Sequence, residues 1–476
     1  WWGHRIPVFY CDTCGEVWAA MEEPRSCRSC ASSDLHQDPD ILDTWFSSAL
    51  WPFSTLGWPE ETEDLRTFFP TSVLVTGYEI IHLWVARMIM TGLHFMGDVP
   101  FRWVYVHGIV RDELGRKMSK SLGNVIDPLK VIEGYGCDAL RFTLAEHATG
   151  QDIFLNEQWI TGGRNFANKL WNVARFVLMS LGEEAPAQEL PPPERRSLAD
   201  RWVLSRLART ASEVTSGLEG FEIAPAARAL HSFLWSEYAD WYIEAAKLRV
   251  AGEDEAAKTS SRAALAWIFD HILRLLHPFM PFITEEIYRL LPGPRGPSIM
   301  QSPWPAIPEE LLDPTAEEAF GRVQEAVSAL RSFRADHRVD PKVRLSVAVD
   351  AADPSLLAPL QEERRTVMAL ARLAELRVTG AEEVDPPVVR LAGGGVDLLV
   401  SLRGVLDDLE AEQRRLAREL EQIQDGVERL ERRVGSPEFR AKAHPEVVAR
   451  NERRLEESLQ RAAALAAQIA RLGGSQ

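Results

Sequence analysis

Gly115-Arg116-Lys117-Met118-Ser119-Lys120-Ser121-Leu122-Gly123-Asn124 is the most informative stretch of the chain. Two lysines three apart, with serines among them and glycines on both sides, suit a mobile loop that grips polyphosphate. Their ammonium groups can neutralise the charge that develops on a leaving pyrophosphate. A bare K-x-x-K would more often be a solvated basic loop, so its surroundings decide. Upstream lie an apolar strand, Trp103-Val104-Tyr105-Val106, then His107-Gly108. Further back, the strand Val73-Leu74-Val75 leads into Gly77-Tyr78-Glu79, and a long amphipathic helix is expected from Gly77 through Gly92. A carboxylate just past a strand end, opening a helix, can accept hydrogen bonds from ribose hydroxyls. The alternative for Glu79 is an ordinary first-turn acid favoured by the helix dipole. Short buried strands alternating with helices predict a parallel α/β layer.

The 476 residues are 46% hydrophobic and 26% charged, which predicts several globular domains and excludes collagen, wholesale disorder and a disulfide-dense miniprotein. The apolar run Ile80 to Met96 contains His82, Arg87 and His94, so it is expected to be a buried helix and not a membrane span. No leader follows Trp1, and the opening suggests part of something longer. The net charge of −17 argues against a general nucleic-acid binder but permits a local basic track. Cys11-x2-Cys14 and Cys27-x2-Cys30 supply four thiolates for one tetrahedral zinc; buried thiols or disulfides are the alternative. Such a closed site would staple a core-poor segment and leave no position for a substrate.

From about 155 to 290 the apolar period is helical, with candidates at Trp159–Leu181, Leu198–Leu218, Ile223–Ala246, Ser260–Leu276 and Ile283–Leu291. Residues 340–402 alternate strand and helix patterns. From Leu402 an unbroken heptad runs to Val434, and a second helix follows Pro445, predicting an antiparallel coiled-coil hairpin. Residues 401–476 hold 14 Lys+Arg and 14 Asp+Glu, so the whole charge of −17 resides before them.

The lysine–serine string matches the Lys-Met-Ser-Lys-Ser signature of class I aminoacyl-tRNA synthetases residue for residue, with Asp138-Ala139-Leu140-Arg141 at the expected distance. Asp43-Thr44-Trp45-Phe46-Ser47-Ser48-Ala49-Leu50-Trp51-Pro52-Phe53 and Phe439-Arg440-Ala441-Lys442-Ala443 resemble the valyl-tRNA synthetase family in particular. Isoleucyl and leucyl relatives are the nearest rivals; a non-catalytic, zinc-stapled tRNA-binding fragment is another. The resemblance runs end to end. It implies a multidomain α/β plus all-α protein: a zinc knuckle (1–40), the second half of a Rossmann-like class I catalytic domain (41–154), a helical-bundle anticodon-binding domain (155–330), a small α/β unit (331–401) and a coiled-coil tRNA-binding arm (402–476).

The resemblance further implies that Lys117 and Lys120 are catalytic. Gly77, Glu79, His107, Gly108, Met118, Ser119 and Ser121 would meet ATP, although the family usually has Asp at the position of Glu79. Trp45, Ile80 and Trp84 would form the valine pocket, with Ile80 and Trp84 on one helix face; without the resemblance they are core residues. Asn168, Lys169, Asn172 and Arg175 on one helix, and Arg414, Arg415, Arg418, Arg429, Arg432 and Arg433 on the hairpin, are candidates for tRNA(Val) contact. The implied reaction is ATP-dependent activation of L-valine, with Mg2+ accompanying ATP and structural Zn2+ at the cysteines, in a cytoplasmic, membrane-free monomer. These residues contain no His-x-Gly-His motif and no room for the editing insertion, both expected upstream of Trp1, and the fragment alone is expected to be inactive.

Overall fold

The computed structural model describes residues 3–182, 189–293, 296–337, 339–351, 353–378, 388–402, 409–436, 439 and 445–473. It divides into two compact units, Trp1–Asn165 with Thr215–Arg228, and Phe166–Val214 with Ala229–Gln476.

The first unit opens with β1 (Val8–Cys11), β2 (Val17–Ala19) and β3 (Leu35–Gln37), an antiparallel sheet in the order β2-β1-β3. Helix α1 (Thr44–Ser54) is capped by Asp43, whose carboxylate accepts from the Trp45 N–H at 2.7 Å. After α2 (Glu63–Phe68) comes β4 (Thr71–Gly77). The expected helix from Gly77 through Gly92 is not one regular α-helix. It is a 3-10 turn at Tyr78–Ile80, a π turn at Ile81–Val85, and only then α3 (Ala86–Phe95). The wider turn changes which side chains share a face, so the simple i, i+4 relation between Ile80 and Trp84 does not hold. Thr91 ties α3 to α1 by donating to the Ala49 carbonyl at 2.7 Å.

Strand β5 (Phe101–His107) pairs in parallel with β4. Both were expected to be buried. Leu74 and Phe101 are, but Val75, Trp103 and Val104 are exposed. The short β6 (Val110–Arg111) precedes the lysine loop; α4 (Pro128–Tyr135) and α5 (Cys137–Glu146) follow it, and β7 (Ile153–Phe154) returns parallel to β6.

Helices α6 (Glu157–Leu181) and α7 (Leu198–Glu219) open the helical bundle. The expected helix Ile223–Ala246 is α8 (Ile223–Ser232), a ten-residue π segment (Phe233–Tyr242) and α9 (Ile243–Val250). Helices α10 (Glu255–Leu276) and α11 (Pro281–Leu290) complete the bundle. Helix α12 (Pro314–Asp336) was not foreseen, although Asp313 caps it and Pro314 opens it. Its residues Val323, Ala326, Val327 and Leu330 belong to the core of the following sheet.

That sheet has the order β10-β11-β8-β9, from β8 (Leu345–Asp350), β9 (Leu373–Arg377), β10 (Val388–Gly393) and β11 (Val396–Ser401); α13 (Ala358–Glu362) and α14 (Arg364–Ala371) separate β8 from β9. The hairpin is α15 (Leu409–Gly435) and α16 (Pro445–Gly473). The seam position Leu406 and the residues Arg440-Ala441-Lys442-Ala443 lie outside the described residues. Leu416, Leu420, Ile423, Leu465 and Ile469 seat one end of the hairpin on the sheet core.

Candidate functional site

Four sulfurs converge at the start of the chain. Cys11 closes β1, Cys14 follows in the turn, and Cys27 and Cys30 face them; Cys11 Sγ lies 3.6 Å from Cys30 and Cys14 Sγ 3.6 Å from Cys27. All four sulfurs lie within 4.8 Å of one another. A disulfide needs about 2.05 Å between sulfurs. Tetrahedral zinc with bonds of about 2.3 Å places them roughly 3.8 Å apart, so the quartet fits a closed four-thiolate site. The Ser29 N–H donates to Cys27 Sγ at 3.3 Å. Arg28 crosses from one cysteine turn to Glu16 beside the other at 2.6 Å.

The lysine loop is a closed structure. Arg111 bridges to Lys117 across its base. Asp112, buried, accepts from the Arg116 N–H (2.7 Å), from Arg116 Nε (2.8 Å) and from Asn124 Nδ2 (3.0 Å). The Asn124 amide, and the Arg116 donors after it, outweigh burial and hold the Asp112 carboxyl at about 2. Asn124 also accepts from the Ser119 N–H (2.9 Å) and donates to the Lys117 carbonyl (3.3 Å). Ser119 and Ser121 Oγ are 3.1 Å apart, and Met118 is half-buried. Asp112, Asn124 and the pair Arg111–Asp152 were not singled out from the sequence. The signal available was Asn124 at the end of the quoted string and Asp112 twelve residues before it.

The strand ends bring the other candidates to this loop. Gly77 and His107 are register partners at the C-terminal ends of parallel β4 and β5, where open α/β sheets hold ligands. Two residues beyond the end of β4, in the 3-10 turn Tyr78–Ile80, Glu79 receives Lys117 Nζ at 2.9 Å. Lys120 is exposed and forms no ion pair among the described residues. His107 Nδ1 sits 2.8 Å from the Gly108 oxygen. Gly108 is glycine for space: a Cβ there would stand 2.0 Å from the Gln151 oxygen.

Trp84 packs against Trp51, with ring centroids 6.3 Å apart, and lies beside Val85, Met88 and Leu74. Trp45 and Ile80 are half-buried. Among the described residues no ring contact joins Trp45 to Trp84.

On α6, Asn168, Asn172 and Arg175 are exposed, and Trp171 and Met179 share their side. Lys169 is engaged instead: its Nζ meets Asp240 at 2.6 Å and lies 5.0 Å from the Trp235 ring centre. The hairpin arginines divide in the same way. Arg415 pairs with Glu419 and Arg432 with Glu428, while Arg433 covers the Phe439 ring at 5.0 Å. Arg418 and Arg429 are exposed, without an ion pair among the described residues; Arg414 is exposed as well.

Comparison with known proteins follows the same segments. Residues 1–156 match the model for tRNA synthetases class I (I, L, M and V), 200–349 the anticodon-binding domain of tRNA ligase, and 408–473 the valyl tRNA synthetase tRNA binding arm. The chain is 46% identical to the valine–tRNA ligase of Carboxydothermus hydrogenoformans, over 96% of its own length and 51% of that protein. It is 44% identical to the valine–tRNA ligase of Geobacter sulfurreducens, over 99% and 53% respectively. The chain belongs to the valine–tRNA ligase family.

It spans about half the length of the curated relatives it matches and corresponds to their C-terminal portion. Its fold is similar to a LeuRS–tRNA–LeuAMS ternary complex from Agrobacterium radiobacter K84, at a TM-score of 0.55 and 26% identity, over 66% of this chain and 42% of that one. No helix among the described residues is long and apolar enough to cross a membrane.

Proposed function

We propose that this chain supplies the lysine-loop side of the ATP site, the zinc staple and the tRNA-binding surfaces of an enzyme that joins L-valine to tRNA(Val), releasing AMP and pyrophosphate. The observation that carries this reading is the meeting of Lys117, Glu79, Gly77 and His107 at two parallel strand ends. The valine carboxylate attacks the α-phosphate of ATP, and the protein positions the reactants and neutralises charge. Lys117 waits on Glu79 and exchanges that partner for phosphate when nucleotide arrives. Lys120, free of a carboxylate, meets the developing pyrophosphate directly. Gly108 and His107 lie beside the adenine, and Glu79, once released, accepts from the ribose. Met118, Ser119 and Ser121 shape the loop around the phosphates, and Mg2+ enters with ATP. Trp45, Ile80 and Trp84 wall the valine pocket.

The four cysteines hold Zn2+, which contributes fold and no chemistry. Asn168, Asn172 and Arg175 face the anticodon stem and loop, where unpaired bases can be stacked upon and hydrogen-bonded. Arg418 and Arg429 meet backbone phosphates along the arm, and the protein works in the cytoplasm as a monomer.

The test uses the full-length protein. Lys120→Ala should slow valine-dependent ATP–pyrophosphate exchange by about 100-fold or more, with valine affinity in the absence of ATP unchanged. Near-normal exchange in that variant would mean that the loop does not act on ATP. Exchange driven by isoleucine or leucine instead of valine would reassign the pocket.

A further inference from the structure

Away from the strand-end site, in the second unit, the C-terminal half of α12, the turn from α14 into β9, and Pro341 enclose a cleft of about 540 Å³ with Glu244 of α9 at its edge. Three arginines line it. Arg331 and Arg334 are three apart on α12 and so share a side of the helix. Arg372 enters from the end of α14, in a left-handed backbone conformation at φ 55°. Main-chain carbonyls hold all three. Arg331 Nε donates to the Leu370 oxygen at 3.1 Å, and Arg372 Nη1 to the Pro341 oxygen at 3.1 Å. Arg334 Nη2 donates to the Asp340 and Val343 oxygens at 2.9 and 2.8 Å. None of the three forms an ion pair among the described residues. The one carboxylate lining the cleft, Glu244, is taken by Lys247 at 2.5 Å.

Arg334 is 9% exposed, and its Nη1 is buried with no hydrogen-bond partner. Buried charges are ordinarily matched by an opposite charge, because carbonyl dipoles replace only part of the lost hydration. We propose that the cleft is a phosphate-binding site, with Arg334 at its floor and Arg331 and Arg372 at its rim. Three guanidiniums need more acceptor positions than the two oxygens of a carboxylate, and planar N–H forks fit phosphate oxygens. Burial, and then the nearby charge of Arg372, lower the Arg334 pKa against the opposing pull of the Asp340 carboxylate. The phosphate is either one in an RNA backbone or that of a free phosphate compound. The geometry stands independently of the ligase reading.

The test compares the 476-residue chain with an Arg331→Gln, Arg372→Gln double variant. Both positions are exposed, so the fold should survive, as far-UV circular dichroism will verify. Inorganic phosphate should raise the Tm of the parent chain above that in chloride at equal ionic strength, as any ligand of the folded state must. The double variant should lose most of that rise. Equal Tm in phosphate and chloride, or an undiminished rise in the variant, overturns the proposal. Binding of a tRNA transcript as a function of salt then separates the sources. A log K against log salt slope shallower by about one in the variant supports an RNA backbone phosphate. An unchanged slope with a lost phosphate response supports a free phosphate compound.

Discussion

The two cysteine turns are near-copies made from different residues. In the first, the Cys11 N–H donates to the Glu16 oxygen and the Gly15 N–H to the Cys11 oxygen, both at 2.9 Å. In the second, the Cys27 N–H donates to the Ser32 oxygen at 2.7 Å and the Ala31 N–H to the Cys27 oxygen at 2.9 Å. The residue four places after each leading cysteine must be left-handed, at φ 76° for Gly15 and φ 59° for Ala31. Glycine adopts that conformation without a Cβ clash, whereas an alanine is penalised by about 1 kcal/mol. Ala31→Gly should therefore leave the knuckle as stable or up to about 1 kcal/mol more stable, part of the gain being offset by a freer unfolded chain. The measurement is the rate at which a chelator strips zinc from each protein, with the metal content beforehand fixing the stoichiometry. Faster loss from the glycine variant would show that Ala31 contributes something beyond its backbone angle. With zinc at the four thiolates as proposed, its removal should melt residues 8–37 in both, because three short strands with little core cannot hold themselves.

At the level of the element, α10 carries a histidine that must stay neutral. His271 is buried, stacks on Trp267 with centroids 3.7 Å apart, and places Nδ1 at 2.8 Å from the Trp267 oxygen. Its other nitrogen faces Arg274 Nη2 at 3.3 Å. A carbonyl requires Nδ1 to donate and a guanidinium requires Nε2 to accept, so the pair selects one neutral tautomer. Burial above all, with the Arg274 charge, brings the pKa from 6.5 down to about 4 in spite of the Trp267 bond and nearby Asp270. The unfolded chain then binds a proton that the folded one refuses. This contribution to stability is complete above pH 6.5 and is lost as pH falls toward about 4. His271→Gln should flatten the fall in unfolding free energy across that window, measured by denaturant titration at successive pH values. Identical slopes in the two proteins would mean that His271 protonates within the fold.

On the scale of the molecule, buried carboxylates help to hold bundle and sheet together in the second unit. Glu363, 2% exposed at the start of α14, accepts from Arg249 Nη2 of α9 at 2.5 Å, from the Ala199 N–H at the start of α7 at 3.2 Å, and from Thr366 at 2.5 Å. Its neighbour Glu362 accepts from the Leu198 N–H at 2.8 Å. Two acids from the sheet layer thus serve the positive end of a bundle helix. Asp200, also buried, stands 3.8 Å from Arg249 and receives the Tyr242 hydroxyl at 2.8 Å. Glu363→Ala should destabilise the unit by about 2–4 kcal/mol, since it leaves the buried Arg249 guanidinium with only Asp200, 3.8 Å away, and orphans a helix N–H. Equilibrium denaturation should show the loss, and hydrogen exchange should show bundle and sheet opening separately. A cost below about 1 kcal/mol, the value of a surface pair, would show that water replaces the carboxylate.

What the sequence determined by itself is whatever lies within one contiguous string. The cysteine spacing placed four sulfurs together, the heptads made a hairpin, and the lysine–serine signature marked a loop, while Gly77 and His107 were already visible as strand ends. Spacing and periodicity report local turns and faces, and these survive in any fold that uses them. Only the tertiary structure decided who meets whom. Lys117 finds Glu79 across 38 residues, and Lys169 is withdrawn from the exposed face by Asp240, 71 residues away. The π turn before α3 re-aims Ile80 and Trp84, which an i, i+4 count had placed together. Helix α12 carries no unusual motif, yet it packs Phe320 on Trp202 of the bundle, centroids 4.3 Å apart, while its later turns enter the sheet core. Burial and charge pairing depend on segments far apart in the chain, so a lone arginine such as Arg334 looks like any other until the fold closes over it.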